Sequence, residues 1–294
     1  MFPWSDPSGR FSVFKFLVFA GLLVPGAFIF WRVMTTGGGV EPIKTAILDS
    51  GDWTIRFLLL SLLITPLRRV TRWGQLMLVR RMIGLAAMGY GLCHLMLFAA
   101  TQSWDIARIA SEIVLRIYLT IGFVALFGLV VLGVTSTRGM MRRMGKNWGR
   151  LHRASYGIAV LGILHFFMQS KIDVSEATLM AGLFVALMAC RLVVHLGGSL
   201  RRPLVMAGIG LSAGLITVGI EYAWYGLATG IPPEIVVAAN LDFIWPLRPA
   251  WLVFFAGLVM AAIALWKAIQ DRGGMMTATA GWIKMIRLRR WRAV

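Results

Sequence analysis

Arg80-Arg-Met-Ile-Gly-Leu-Ala-Ala-Met-Gly-Tyr-Gly-Leu-Cys-His94-Leu-Met-Leu-Phe-Ala-Ala100 sets the fold class. Nineteen consecutive residues after Arg81 carry no formal charge, close to the ~20 apolar residues that a helix needs to cross the hydrocarbon of a bilayer. Two arginines stand immediately before the run, and a single histidine lies deep inside it. The stretch reads as a membrane span with one ionisable group at membrane depth.

Working outward, the chain offers eight such runs: roughly 13 to 31, 53 to 67, 82 to 100, 113 to 134, 154 to 170, 177 to 195, 204 to 226 and 249 to 266. The second is short, and Pro66 with Arg68 and Arg69 is expected to stop it. The first is too long for a signal-peptide core and lacks a small-residue cleavage site, so it reads as a retained anchor. Composition agrees: 59% of the 294 residues are hydrophobic and 14% charged, a balance foreign to water-soluble domains of this size.

The net charge of +18 is a matter of topology. Loops 68 to 81 and 135 to 153 carry +5 and +6, Arg201 and Arg202 add +2, and the end from Lys267 adds +6. The four alternate connections, 32 to 52, 101 to 112, 171 to 176 and 227 to 248, each sum to −1. Lys and Arg stay on the cytoplasmic side, so both termini are expected to be cytoplasmic and the weakly acidic loops to face outward. Basic residues spread in this way need no nucleic acid. The end from Trp282 to Arg292 mixes aromatic, aliphatic and basic residues, which suits a helix lying on anionic lipid headgroups. Cys93 and Cys190 both lie in apolar runs and give neither a disulfide framework nor a Cys-based metal site.

An ionisable side chain at membrane depth is a functional hypothesis, and the chain has four histidines, His94, His152, His165 and His195. His94 lies 13 residues inward of Arg81 and His165 lies 12 inward of Arg153. At about 1.5 Å per residue, both imidazoles sit roughly 18 to 20 Å from the basic face. Two depth-matched histidines on different helices can clamp a haem between them. His152, 13 residues before His165, is turned by roughly 220° on a straight helix and does not share its face. The corresponding position before His94 is Arg81. His195 lies at a depth that can meet His152, where a second haem, a flavin or a quinone is the alternative to plain interfacial histidines.

Arg56 and Arg116 stand a few residues inside the opposite face, at a depth from which they can reach haem propionates or snorkel to headgroups. Arg191 is expected to snorkel to the basic surface. Glu221 in the seventh span has no reading from sequence. The spacing Gly210-Leu-Ser-Ala-Gly214 permits close helix packing.

The segments Asp52-Trp-Thr-Ile-Arg-Phe-Leu-Leu-Leu-Ser-Leu-Leu-Ile-Thr-Pro-Leu-Arg-Arg69, Arg80-Arg-Met-Ile-Gly-Leu85 leading to His94, Thr135-Ser-Thr137, and Trp148-Gly-Arg-Leu-His-Arg153 leading to Leu164-His165-Phe166 resemble the MsrQ (YedZ) family. These are the haem-binding membrane subunits of periplasmic methionine-sulfoxide reductase systems, within the ferric-reductase-like transmembrane group. The resemblance covers about residues 10 to 196. It implies haem b held by His94 and His165, a further family histidine at His152, and FMN. It also implies electron transfer from a cytoplasmic flavin reductase or membrane quinol to the periplasmic molybdopterin partner MsrP. The chain departs from the family by continuing past residue 196, and by reading Arg116-Ile-Tyr for an expected Arg-Pro-Tyr; Ile117 is expected to continue the helix.

The expected architecture is an all-α polytopic bundle of about eight membrane helices. Residues 1 to 196 form a six-helix ferric-reductase-like core, 197 to 267 a two-helix extension, and 268 to 294 a basic tail. No Gly-rich phosphate loop marks a cofactor pocket, and no site for sulfoxide chemistry is visible, so the chain reads as an electron-transfer subunit that leaves substrate reduction to a partner. The rival readings are a ferric-reductase or oxidase-like cytochrome with another acceptor, and a non-redox scaffold or transporter.

Overall fold

The computed structural model describes residues 4–5, 9–35, 40–170 and 173–290, the side chains of 40–41 and 272–290 excepted. Its helices are α1 Val13–Thr35, α2 Val40–Thr71, α3 Leu76–Thr101, α4 Ile106–Leu115, α5 Ile117–Val134, α6 Arg138–Met144, α7 Lys146–His152, α8 Ser155–Gln169, α9 Ser175–His195 and α10 Pro203–Trp224. A π turn, Tyr225–Thr229, continues α10, and α11 Pro233–Leu241 and α12 Pro249–Arg290 follow. Among the described residues no β-strand forms.

Seven helical runs among the described residues are long and apolar enough to cross a membrane: α1, α3, α5, α7 with α8, α9, α10 with its π turn, and α12 as far as Asp271. The protein is an all-α multi-pass membrane protein. The remaining expected span, 53 to 67, lies within α2, whose apolar run is diluted by Asp52 and Arg56. Helix α2 has little need of a lipid-facing surface, because Leu58, Leu59 and Leu62 are buried against its neighbours. On the outside, Leu17, Val24, Phe28 and Trp31 of α1 are more than half exposed, as side chains solvated by lipid tails are.

Three expectations are corrected. Pro66 does not stop the second helix, which runs through it to Thr71. The fourth run is not continuous: α4 ends at Leu115, Arg116 is extended with φ −112° and ψ 104°, and α5 starts at Ile117. Arg191 does not snorkel. Its Nη2 donates to the Leu62 carbonyl at 2.8 Å, Nη1 to the Leu187 carbonyl at 2.7 Å, and Nε to the Tyr156 hydroxyl at 3.1 Å. Leu62 is four residues before Pro66, so its carbonyl is the one that proline deprives of a helical N–H donor. In lipid an orphaned carbonyl is costly, and the guanidinium supplies the missing donor.

Lipid tails are as apolar as leucine, so helices cohere by close contact and polar linkages. Buried Leu58, Val79, Ile83, Leu129, Ala159 and Ile163 join α2, α3, α5 and α8 into one core. Helix α1 is fastened by Tyr90 of α3, whose hydroxyl donates to the Leu22 carbonyl at 2.9 Å and accepts from the Gly26 N–H at 2.6 Å. A hydroxyl thereby replaces one helical hydrogen bond beside Pro25.

Helices α10 and α12 cross where Gly210 and Gly214 face Gly257, Phe254 and the Ala250 carbonyl, the use that their spacing permitted. Glu221 gains its reading here. Fully buried, it accepts from Arg248 Nη1 at 3.1 Å and from Asn240 Nδ2 at 2.8 Å, linking α10, α11 and the entry to α12. Contacts Arg72–Asp271 and Arg81–Ser136 gather the arginine-rich loops at one end of the bundle. The tail side chains from Trp282 onward, expected on headgroups, lie outside the described residues.

Candidate functional site

Helices α3 and α8 bring His94 and His165 together in the apolar interior, with ring centroids 6.2 Å apart and planes at 86°. Each Nδ1 lies 2.8 Å from a backbone carbonyl, that of Ile47 for His94 and that of Tyr118 for His165. A carbonyl only accepts, so each ring donates from Nδ1, which fixes the tautomer and leaves the Nε2 lone pair for another partner.

The two rings border a cavity of about 520 Å³, within the range of cofactor pockets. Its inner walls are apolar, from Leu58, Phe98, Leu126, Leu129 and Phe166. The polar rim lies at the end away from the arginine-rich loops and includes Gln102, Arg108, Glu112, Arg116, Asp173 and Glu176. Asp173 stands in the short loop before α9, where the Ser175 N–H at 3.0 Å holds its carboxyl below the usual range.

Two imidazoles sharing one metal, each with a bond of about 2 Å and a ring centre about 1 Å further on, have centroids about 6 Å apart. The observed 6.2 Å meets that spacing. Among the described residues no group of three His, Cys, Asp or Glu side chains can hold a metal ion. A bare ion would therefore find only two ligands here, whereas a metal already held in a plane by other donors needs only these two.

Other sequence candidates fall elsewhere. Arg116 lines the rim, paired with Glu112 at 2.7 Å. Arg56 is absent from the lining and bridges Asp52 at 3.7 Å and Glu176 at 3.1 Å. His152 stacks on Trp148, with Nε2 3.2 Å from Ser136 Oγ and Nδ1 3.1 Å from the Trp148 carbonyl. His195 is exposed at the end of α9, and among the described residues no hydrogen bond or ring contact joins it to His152.

Arg108 was not singled out from sequence. It lies on α4, a strongly amphipathic helix whose Ile106, Val114 and Leu115 are about four-fifths exposed, while Arg108 and Glu112 meet the rim. The signal was the i, i+3, i+4 alternation over 106 to 115, hidden because an apolar run counted from 113 cuts that helix in two.

Residues 50–163 match the family described as ferric reductase like transmembrane component. The chain is 41% identical over 189 residues to the protein-methionine-sulfoxide reductase heme-binding subunit MsrQ of Xanthomonas oryzae pv. oryzae, covering 61% of this chain and 85% of that relative. It is 42% identical over 183 residues to the MsrQ of Rhodospirillum rubrum, covering 61% of this chain and 87% of that one. No solved structure matches.

Proposed function

The chain belongs to the MsrQ family, and on that premise we propose that it carries electrons across the bacterial inner membrane through one b-type haem held by His94 and His165. The observation that carries the reading is the pair of imidazoles 6.2 Å apart, both with Nδ1 bound to a carbonyl, at the edge of one apolar cavity. The haem supplies a one-electron couple in a low-dielectric setting. The protein's own part is to hold the two rings, to exclude water with leucine and phenylalanine walls, and to offer Arg108 and Arg116 at the rim as partners for propionates.

Retention of the arginine-rich loops in the cytoplasm is the proposed orientation, with the polar rim of the cavity facing the periplasm. That orientation supports delivery to a periplasmic molybdopterin partner, MsrP, which reduces oxidised methionine. The proposed donor is a cytoplasmic flavin reductase or membrane quinol, and FMN is the proposed additional cofactor; for both, the family resemblance is the support. His152 and His195 are assigned no haem, since His152 is bound to Ser136 and Trp148 and His195 is exposed.

Visible absorption of the purified full chain tests this reading. Low-spin b-type bands are expected, with His94→Ala and His165→Ala each abolishing the six-coordinate form and His195→Ala leaving it intact. Purification without bound haem after expression with ample haem overturns the proposal and favours a non-redox membrane protein.

A further inference from the structure

The two histidines are held by corresponding parts of two half-sites. Ile47, Gly51, Ile55, Gly91 and His94 correspond to Tyr118, Gly122, Leu126, Gly162 and His165 at a constant offset of 71 residues. In both halves the accepting carbonyl lies 47 residues before its histidine. The correspondence holds in space as well as in sequence. Helix α2 packs on α3 as α5 packs on α8, and α3 meets α5 as α8 meets α2. A Cβ on Gly91 would stand 2.8 Å from Leu126, and one on Gly162 2.5 Å from Ile55, so each half inserts the aliphatic side chain at the corresponding position into the other half's glycine gap.

Gly51 and Gly122 occupy the decisive position in each half. Each is four residues after the carbonyl that holds the ring, so its N–H is the helical partner of that carbonyl. A carbonyl has a second lone pair, but a side chain at that fourth position would cover it. A Cβ on Gly51 would stand 3.1 Å from His94 Nδ1, and one on Gly122 2.7 Å from His165 Nδ1. An added Cβ at Gly122 would force the ring to shift, and one at Gly51 would require it to give by a few tenths of an ångström.

We infer that Gly51 and Gly122 are positioning residues: by leaving the Ile47 and Tyr118 carbonyls open to the two imidazoles, they set the rings at right angles and make both more electron-rich ligands. The inference rests on the haem reading of His94 and His165. A hydrogen bond from the far nitrogen of a ligating imidazole raises its basicity and fixes its plane, which favours the oxidised metal.

The test uses the haem-loaded full chain and four variants, Gly51→Ala, Gly122→Ala, and as controls Gly84→Ala on α3 and Gly157→Ala on α8, where an added Cβ meets nothing within 4 Å. Alanine is the better helix former, so no variant weakens its helix by propensity. The wild-type ferric protein should give the strongly anisotropic low-spin EPR signal, with one dominant low-field feature, that perpendicular imidazole planes produce. Gly122→Ala should shift that feature and raise the midpoint potential, Gly51→Ala should do so to a smaller extent, and the controls should match wild type. A rhombic three-line spectrum from near-parallel rings in the wild type overturns the inference, even where a glycine variant fails to fold. Glycine variants that keep the wild-type signal and potential also overturn it, leaving haem ligation standing. Absence of low-spin haem in the wild type defeats the underlying reading instead.

Discussion

At the residue scale, Arg191 shows how a charge becomes tolerable inside lipid. Its three donor nitrogens meet the Leu62 and Leu187 carbonyls and the Tyr156 hydroxyl, and its guanidinium lies 5.1 Å from the Tyr156 ring centre. The Leu62 contact exists because Pro66 has no N–H to give. Arg191→Met should therefore lower stability by about 1–3 kcal/mol, the range for a buried acceptor left without a donor. Pro66→Ala restores the helical donor to Leu62, so the same substitution in that background should cost less, by a coupling of order 1 kcal/mol. Thermal unfolding in detergent across the four proteins measures this. Equal costs in both backgrounds would show that proline and arginine act independently.

At the element scale, the break between α4 and α5 is the feature that apolar-run counting conceals. Arg116 is extended, Thr120 Oγ1 donates to the Ile113 carbonyl at 2.5 Å across the break, and the Leu119 N–H donates to the Arg116 carbonyl at 2.8 Å. An extended residue followed by the first position of a new helix is the setting a proline prefers, although this chain has Ile117 there. Ile117→Pro should accordingly change stability by no more than about 1 kcal/mol, in the favourable direction if the fit is good, and leave the haem spectrum unchanged. Ile121→Pro, inside α5 and one residue before Gly122, should cost about 3 kcal/mol or more. If Ile117→Pro is as damaging as Ile121→Pro, the helix does not break at Arg116 in the membrane. Apolar runs and loop charge made the all-α membrane class and the order of the spans legible in the sequence, but not the number of helices, and depth counting singled out His94 and His165, which the fold brings together. The roles of Arg191, Arg56 and Arg108 were not legible, because each is decided by a partner on another helix, and periodicity carries no information on what a polar side chain will bind. Glycines were too many to single out Gly51 and Gly122 until the rings beside them were located.

At the scale of the whole molecule, the site and the C-terminal helices are separable. Among the described residues the cavity lining ends at Glu176, and none of α10, α11 or α12 contributes a wall to it. Helices α10 and α12 nonetheless pack against α9, and α12 also meets α2. A Cβ on Gly182 of α9 would meet Thr217 of α10 and Val253 of α12, and Met206, Ile209, Ala261 and Ala264 form a second buried cluster with Cys190 and Val70. The Glu221–Arg248–Asn240 linkage closes this unit at the rim end; without Glu221 the half-buried Arg248 can turn to water, but the buried Asn240 amide loses a charged acceptor, at a cost of about 1–3 kcal/mol. Two variants separate the roles. A chain ending after Arg202 should keep the low-spin absorption bands of the full chain while losing them at a lower temperature, because it exposes the packed face of α9 without touching either histidine. Glu221→Ala should lower the same transition without altering the spectrum at low temperature. Haem loss in the truncated chain at a temperature where its helical circular dichroism is intact would show that the last three helices take part in the site itself.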